Sequence, residues 1–260
     1  MGELSRSLTE GVLTLGLARP DARNALNRPL LDEIFDALME ADQNSDIRAL
    51  VLKAQGRSFC SGADLVEWAE AEAAGALETY GWTERAHAVI LKLQALSKPT
   101  IALVQGAAVG AGADLAFACD FRLIGASGSF RCGYLSMAYS PDMGATWLVP
   151  RLIGEQKAKA YLFLNEKYDA ARALEVGLAD SLVADDQLAA TGEALARRLA
   201  RAPTFALSCT KMLLAESAGR DFASQLAAES EAALACGRTR DADEALKAAA
   251  ERRDAQFSGR

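Results

Sequence analysis

Short apolar runs of β character stand at 12–17, 49–53, 100–105 and 121–124, and amphipathic helical stretches separate most of them. Runs this short, bounded by turn residues, predict buried strands. Residues 30–41 place Leu31, Ile34, Phe35, Leu38 and Met39 on one stripe, the spacing of a helix with a single buried face. Residues 66–96 read as helical as well, with interruptions near Gly75 and Gly81. This alternation predicts an α/β domain with parallel crossovers. From Gln187 onward the pattern changes. Leu- and Ala-rich helical periodicity runs on without a strand, and Pro203, Gly219 and Gly237 punctuate it into helices near 187–201, 204–217, 221–235 and 241–254. A segment that rich in alanine has little core of its own, so it is expected to close over the α/β body or to pack against another subunit.

A chain of 260 residues with 51% hydrophobic and 24% charged residues fits one large soluble domain or one domain with an appendage. The net charge of −7, from 35 acids against 28 bases, argues against a protein that tracks nucleic-acid phosphates. A small anionic ligand stays possible, since a few local arginines suffice for one. The five cysteines, Cys60, Cys119, Cys132, Cys209 and Cys236, are scattered and form no C-x-x-C pair. They predict no disulfide framework and no zinc site, only buried free thiols in a reducing cytoplasm. No apolar signal segment follows Met1, and no apolar run reaches the ~18 residues that span a bilayer. A cytoplasmic protein without membrane contact is expected.

The chemistry-bearing residues narrow the field further. His87 is the single histidine, set in a helical stretch, and no Gly-x-Ser-x-Gly elbow is present. A Ser–His–acid triad or a histidine-based metal site therefore has little support. The run from Gly106 through Gly110, Gly112 and Asp114 follows a strand and opens a helix, the setting of a dinucleotide fingerprint. It lacks the third glycine, position 115 being Leu, and no acid follows the next strand until Asp142. A second junction of the same kind runs from Gly56 through Phe59, Cys60, Ser61, Gly62, Ala63, Asp64 and Leu65. Junctions built of Gly and Ala let a ligand approach the backbone closely, and two of them could each lend one N–H to a single oxygen, as in an oxyanion hole. Two tight turns that simply need small residues would read the same way.

Taken together these blocks resemble the crotonase, or enoyl-CoA hydratase/isomerase, superfamily. The matching segments are Asn24-Ala25-Leu26-Asn27 after Pro20, Ser61 to Leu65 after Gly56 and Phe59, and Gln105 to Asp114 closing on Ala118-Cys119-Asp120. Phe130, then Ser140-Pro141-Asp142-Met143-Gly144-Ala145-Thr146 and Leu152-Ile153-Gly154, follow in family order, as do Ala202-Pro203-Thr204 and the terminal Phe257-Ser-Gly-Arg260. The resemblance implies an α/β fold, a spiral of ββα units over residues 1–190, and a C-terminal helical trimerisation segment over 191–260. It implies an acyl-CoA thioester substrate, with coenzyme A part of the substrate and no separate cofactor or metal, and a homotrimer or homohexamer. Carried over by motif, the enolate-binding N–H groups fall on Ala63 and Ala111, flanked by Gly62 and Gly110. The adenine and pantetheine contacts fall around Arg23, Ala25, Ser61, Asp64 and Leu65. The family's second donor position is usually glycine, so Ala111 would be strained if that turn needs a positive φ.

The acid–base positions depart from the family pattern. Hydratases of the family carry two glutamates, whereas this chain has Asp114 at the first position and Tyr134 at the second. A tyrosine, with its ordinary pKa near 10, is a poor neutral-pH base for water. Asp142 falls where some isomerases and a dehalogenase branch keep a catalytic aspartate, and the segment around it most resembles ring-epoxide and enoyl-CoA isomerases. The expectation is an enoyl-CoA isomerase with Asp142 as the proton shuttle; hydration through Asp114, or a homologue that binds acyl-CoA without turnover, are the alternatives. Asp142 also follows Pro141 and would serve as a helix N-cap, Asp114 would gain from a helix dipole wherever it sits in a first turn, Tyr134 would serve as pocket wall, hydrogen-bond donor or core, and Asp120 is expected to be structural. The stretch 66–88, with Trp68, Tyr80 and Trp82, is expected to line or cover the acyl pocket; its aromatic rings could suit a ring-bearing acyl group, but core or interface packing is the commoner reason for such rings.

Overall fold

A computed structural model describes residues 2–76 and 81–259. Tyr80 and Arg260, both named above, lie outside the described residues. Strands β1 (Leu4–Thr9), β2 (Val12–Leu17), β3 (Ala49–Ala54), β4 (Thr100–Val104), β6 (Phe121–Gly125) and β9 (Ser181–Val183) form one sheet in that order. Only the β1–β2 hairpin is antiparallel; the other neighbours run parallel. Strands β5 (Ala107–Val109), β7 (Ser129–Arg131) and β8 (Tyr168–Asp169) form a second, smaller sheet. The four runs read as strands are strands. β1 was hidden by its exposed polar residues, and the second sheet by the shortness of its strands.

Alternation along the parallel strands explains the layering, because successive side chains point to opposite faces. Leu50, Leu52, Ala102 and Val104 enter the main core, which is also filled by Leu30, Leu31, Ile34 and Leu38 of α1 (Arg28–Gln43) and by Val89, Ile90 and Leu93 of α3 (Trp82–Ala95). The intervening Ala49, Val51, Ile101 and Leu103 face the other way, onto Leu188, Ala196 and Ala200 of α8 (Leu188–Ala200). α8 is laid so close that a Cβ at Gly192 would stand 2.5 Å from a Leu103 methyl. Although it falls largely within the 191–260 segment, α8 is therefore packed on the sheet of the body. The helices after it, α9 (Thr204–Glu216), α10 (Phe222–Cys236) and α11 (Arg240–Glu251), bury few side chains. The thiols divide as well: Cys60, Cys119 and Cys132 are buried as expected, but Cys209 and Cys236 on α9 and α10 are only half-buried, because those helices lack a core to enter.

Helix starts follow local chemistry. Asn27 caps α1 through its Oδ1, which accepts from the Leu30 N–H at 3.0 Å, and Pro29 sits in the first turn. Asp169, Asp221 and Thr239 cap α7 (Ala170–Val176), α10 and α11 in the same way. Asp120 is structural, as expected. It accepts from the Thr100 N–H and hydroxyl and pairs with Lys211 of α9 at 2.8 Å, fastening the helical segment to the strand ends.

Fully buried Asn24 organises the loop that leaves β2. Its Nδ2 donates to the Gln55 and Ser58 carbonyls at 2.8 and 2.9 Å, and its Oδ1 accepts from the Arg19 N–H at 2.9 Å. Its φ of 55° lies in the left-handed region, which asparagine tolerates better than alanine. Asn24→Ala is expected to lower unfolding stability by about 2–4 kcal/mol in urea denaturation, since it removes three hydrogen bonds of a buried side chain and strains the turn. A loss below about 0.5 kcal/mol, the scale of an ordinary surface substitution, would contradict this account.

Candidate active site

The carboxyl ends of β3 and β4 lead into the two Gly/Ala-rich junctions. Strand ends of this kind are where open parallel sheets form their crevices. The two are sewn together through the backbone. The Phe59 and Cys60 N–H groups donate to the Ala107 carbonyl at 3.0 and 3.1 Å, and the Val109 N–H donates back to the Cys60 carbonyl at 2.9 Å. Gln105 adds a side-chain clip, its Nε2 donating to the Ala54 and Ser58 carbonyls at 3.0 and 3.1 Å. A Cβ at Gly112 would lie 2.4 Å from the Cys60 carbonyl oxygen, so only glycine permits this approach. A Cβ at Gly62 would stand 2.9 Å from the Val109 oxygen and 3.6 Å from the Ala111 nitrogen. The residue before Ala63 is thus set against the N–H of Ala111. Among the described residues neither the Ala63 nor the Ala111 N–H has an acceptor, leaving two backbone donors free at one place.

The turn does need a positive φ, but not at Ala111. Gly110, with φ 54° and ψ −128°, takes the conformation open essentially to glycine alone, and α4 (Ala111–Phe117) starts from it. Ala111 has no positive φ. The strain expected at that alanine is absent, because the preceding glycine carries the turn.

Asp114 lies in the first turn of α4, 2% exposed, and Tyr134 donates its hydroxyl to the Asp114 Oδ2 at 2.7 Å. Burial pushes the Asp114 carboxyl up, and the nearby Asp142 charge pushes in the same direction; against the Tyr134 hydroxyl and the Ala145 N–H, the balance settles at about 7. Tyr134 is itself driven far above the ordinary tyrosine range, first by burial and then by the Asp114 charge, so it remains a donor and never a base. Asp142 is raised too, chiefly by burial, and its Oδ1 is buried without a hydrogen-bond partner among the described residues.

Asp142 is not a helix cap. α5 (Ala145–Ile153) begins later, from Gly144 at φ 100°, and no side chain caps it. His87 was set aside in the sequence as a solitary helix histidine, yet it reaches this loop. Its Nε2 lies 2.7 Å from the Asp142 carbonyl oxygen, which can only accept, so Nε2 carries a proton. The contact joins residues 55 positions apart and leaves no local signal. Beside the site, Trp68 of α2 (Leu65–Ala73) makes edge contacts with Trp82 and with Tyr139, at ring separations of 6.1 and 6.4 Å.

The residues named for nucleotide and pantetheine contact form a second group. Segment 23–26 runs alongside 61–64: the Ser61 N–H donates to the Arg23 carbonyl at 3.1 Å, and the Leu26 N–H to the Gly62 carbonyl at 2.8 Å. The Arg23 side chain is exposed and makes no ion pair among the described residues. Ala25 is buried, and Leu65 is 53% exposed at the start of α2. The Asp64 carboxylate is already committed. It caps α2 through the Val66 and Glu67 N–H groups and pairs with Arg19 at 2.8 Å. Burial pushes its carboxyl up, but Arg19 and the cap outweigh this and hold it below the ordinary value. A cavity of about 520 Å³ lies elsewhere, between α5 and α9, lined by Trp147, Arg151, Leu207 and Lys211 among others, and none of the junction or carboxylate residues borders it.

The sequence profile of the enoyl-CoA hydratase/isomerase family matches residues 7–260. The chain is 33% identical over 253 residues to 1,2-epoxyphenylacetyl-CoA isomerase of Escherichia coli, 96% of each chain being covered. It is 32% identical over 260 residues to 2,3-dehydroadipyl-CoA hydratase of the same organism, covering 100% of both. Among solved structures, a Pseudomonas aeruginosa protein is 51% identical with TM-score 0.86, covering 88% of this chain and 98% of that one. An enoyl-CoA hydratase of Bacillus anthracis superposes with TM-score 0.92 at 28% identity, over 99% and 100%. With the family's profile spanning nearly the whole chain and its fold reproduced around two convergent backbone amides, the protein belongs to the enoyl-CoA hydratase/isomerase family and has the crotonase fold.

Proposed function

We propose that the protein is an enoyl-CoA isomerase that moves a double bond with a single carboxylate, Asp142. The observation that carries this reading is the contrast between the two acids. Asp114 is buried and engaged by Tyr134, whereas Asp142 is half-buried and has a carboxylate oxygen without a partner. In the proposed reaction the thioester oxygen of a 3-enoyl-CoA accepts hydrogen bonds from the Ala63 and Ala111 N–H groups. Asp142 takes a proton from carbon 2; the C–H bond breaks, an O–H bond forms on Asp142, and the electron pair spreads into a dienolate whose oxygen sits between the two donors. Preorganised donors of this kind stabilise the charge as it develops. Asp142 then returns the proton to carbon 4, giving the conjugated 2-enoyl thioester with all atoms conserved. One base suffices because one proton leaves and one comes back, and the only coenzyme needed is the CoA already on the substrate.

Asp142→Asn is expected to cut turnover of 3-enoyl-CoA by about 10²–10⁴-fold, the range of a general acid–base group, followed as the rise in absorbance of the conjugated thioester. Acyl-CoA affinity should be little changed, and Asp114→Asn should cost less. Hydration is the second reading, favoured by one observation: a carboxyl at about 7 suits acid–base work at neutral pH, and Asp114 has it. Under that reading 2-enoyl-CoA loses its conjugation to a hydroxyacyl product, and Asp114→Asn is the more damaging substitution. A fully active Asp142→Asn enzyme would remove Asp142 from the mechanism.

CoA brings phosphates to an acidic protein, so a local cation has to offset the overall field. Arg23, exposed on the segment that runs beside the first junction, is the residue proposed for this role. Arg23→Ala is expected to raise KM for acyl-CoA several-fold with kcat almost unchanged, the signature of lost uniform binding. An unchanged KM would exclude Arg23 from the site.

The reading extends to assembly. α9, α10 and α11 expose Phe205, Met212, Leu214, Phe222, Leu226, Leu234 and Leu246, large apolar side chains on three successive helices of the kind a protein partner would cover. These helices are proposed as the trimerisation segment of a homotrimer, or of trimers stacked into a hexamer, in a cytoplasmic enzyme. Sedimentation equilibrium at micromolar concentration should return three or six times the 27.5 kDa chain mass. A monodisperse 27.5 kDa species would contradict it.

A further inference from the structure

Tyr134 stands between two carboxylates and has one proton to give. Its hydroxyl donates to the Asp114 Oδ2 at 2.7 Å. The same hydroxyl also acts on Asp142, favouring its charged form, while the Asp142 Oδ1 lies buried with no hydrogen-bond partner among the described residues. A phenol has a single O–H, so it serves one acid and leaves the other without a donor. A hydrogen bond to an ionised oxygen is roughly twice as strong as one between neutral groups, so the proton goes to whichever acid is charged and better placed.

We propose that Tyr134 is a positioning residue acting as a hydrogen-bond switch: it donates to Asp114 when that acid is ionised, leaving Asp142 a strong base, and swings to Asp142 when Asp114 is protonated, weakening it. The inference rests on the proposed role of Asp142 as the base. It gives Asp114 a part in the reaction without contact with the moving proton.

The surroundings leave Asp114 as the group that drives the switch. Around it stand Tyr134, Asp142 and the Ala145 N–H, with the Cys132 thiol beyond β7 and the Tyr161 phenol on α6 (Glu155–Leu164). Burial raises Cys132 and drives Tyr161 well above the ordinary tyrosine value, so both stay neutral near pH 7. His87 on α3 lies 2.7 Å from the Asp142 carbonyl oxygen, and its electrostatic influence favours the Asp142 charge. The sign follows. As pH rises through about 7, Asp114 ionises and holds Tyr134, Asp142 loses its donor, and proton abstraction speeds up.

Two measurements test the switch, one of them without substrate. In the free protein, infrared difference spectra titrated from about pH 5 to pH 9 follow the C=O stretch of protonated carboxyl groups. A band with its midpoint at about 7 is expected, absent in Asp114→Asn and moved to higher pH in Tyr134→Phe, which removes a donor to the ionised form. In turnover of 3-enoyl-CoA, kcat should rise roughly tenfold across the same midpoint, and most of that rise should vanish in Tyr134→Phe and in Asp114→Asn. His87→Gln, which removes the single imidazole, should leave it in place. The switch is overturned by a carboxyl band that stays put in Tyr134→Phe, by a kcat limb that survives in that variant, or by a limb that disappears in His87→Gln instead. An active Asp142→Asn enzyme would overturn the assignment of the base while leaving the infrared result standing, so the two failures are distinguishable.

Discussion

Two backbone amides from separate strand–helix junctions have to meet at one point, and this constraint shapes the body of the protein. It requires β3 and β4 to be neighbours and their exits to cross within hydrogen-bonding distance, which the Cys60 and Ala107–Val109 pairing secures. It also requires the near absence of side chains where the junctions touch. Gly112 against Cys60, Gly62 against Val109 and Gly106 against Arg57 are positions where a single methyl group would collide with backbone. The second sheet grows from the same contact, since β5 continues outward to β7 and β8. The sheets are thus arranged around the junctions as much as around the apolar core.

The polar residues near the site divide by whether their bonding is complete. Asn24, Gln105, Arg19 and Asp64 are engaged by partners that hold loops, and their burial is tolerated because those partners replace water. Asp142 is engaged through its main chain but not fully through its carboxylate. A partly buried carboxylate oxygen without a donor costs stability, and such costs concentrate where a protein does chemistry. Asp114 lies between these cases: it is hydrogen-bonded, yet so deeply buried that its ionisation is finely balanced near neutrality.

Much of the main sheet was legible because its strands are short, apolar and continuous, and α1 because its stripe keeps helical spacing. The strands at 12–17 and 49–54 and the helices of the C-terminal third match the pattern to within a few residues. The second sheet was not legible, since strands of two or three residues carry no periodicity and exist only through their partners. The junction glycines could be seen in the sequence, but which of them would carry the positive φ could not, and that is what relieves Ala111. Pro141-Asp142 reads locally as a cap signal; the actual helix start is set by Gly144, whose left-handed backbone delays it. Tyr134 was identifiable by position, whereas its bond to Asp114 spans 20 residues and two elements, and His87 meets Asp142 across 55. Contacts of that range belong to the folded topology and not to any window of sequence.

Placing the proposed receptor for negative charge in the main chain has an evolutionary consequence. No ordinary side-chain substitution at Ala63 or Ala111 removes an amide proton; only proline would, so the receptor is insulated from most point mutations. The groups proposed to act on protons have no such protection, because Asp114, Tyr134 and Asp142 would work through their side chains. On the proposed mechanism, drift at these three positions can therefore redirect the proton chemistry while the two amides that would hold an enolate oxygen persist. A scaffold divided in this way can change its reaction without first losing its hold on the substrate.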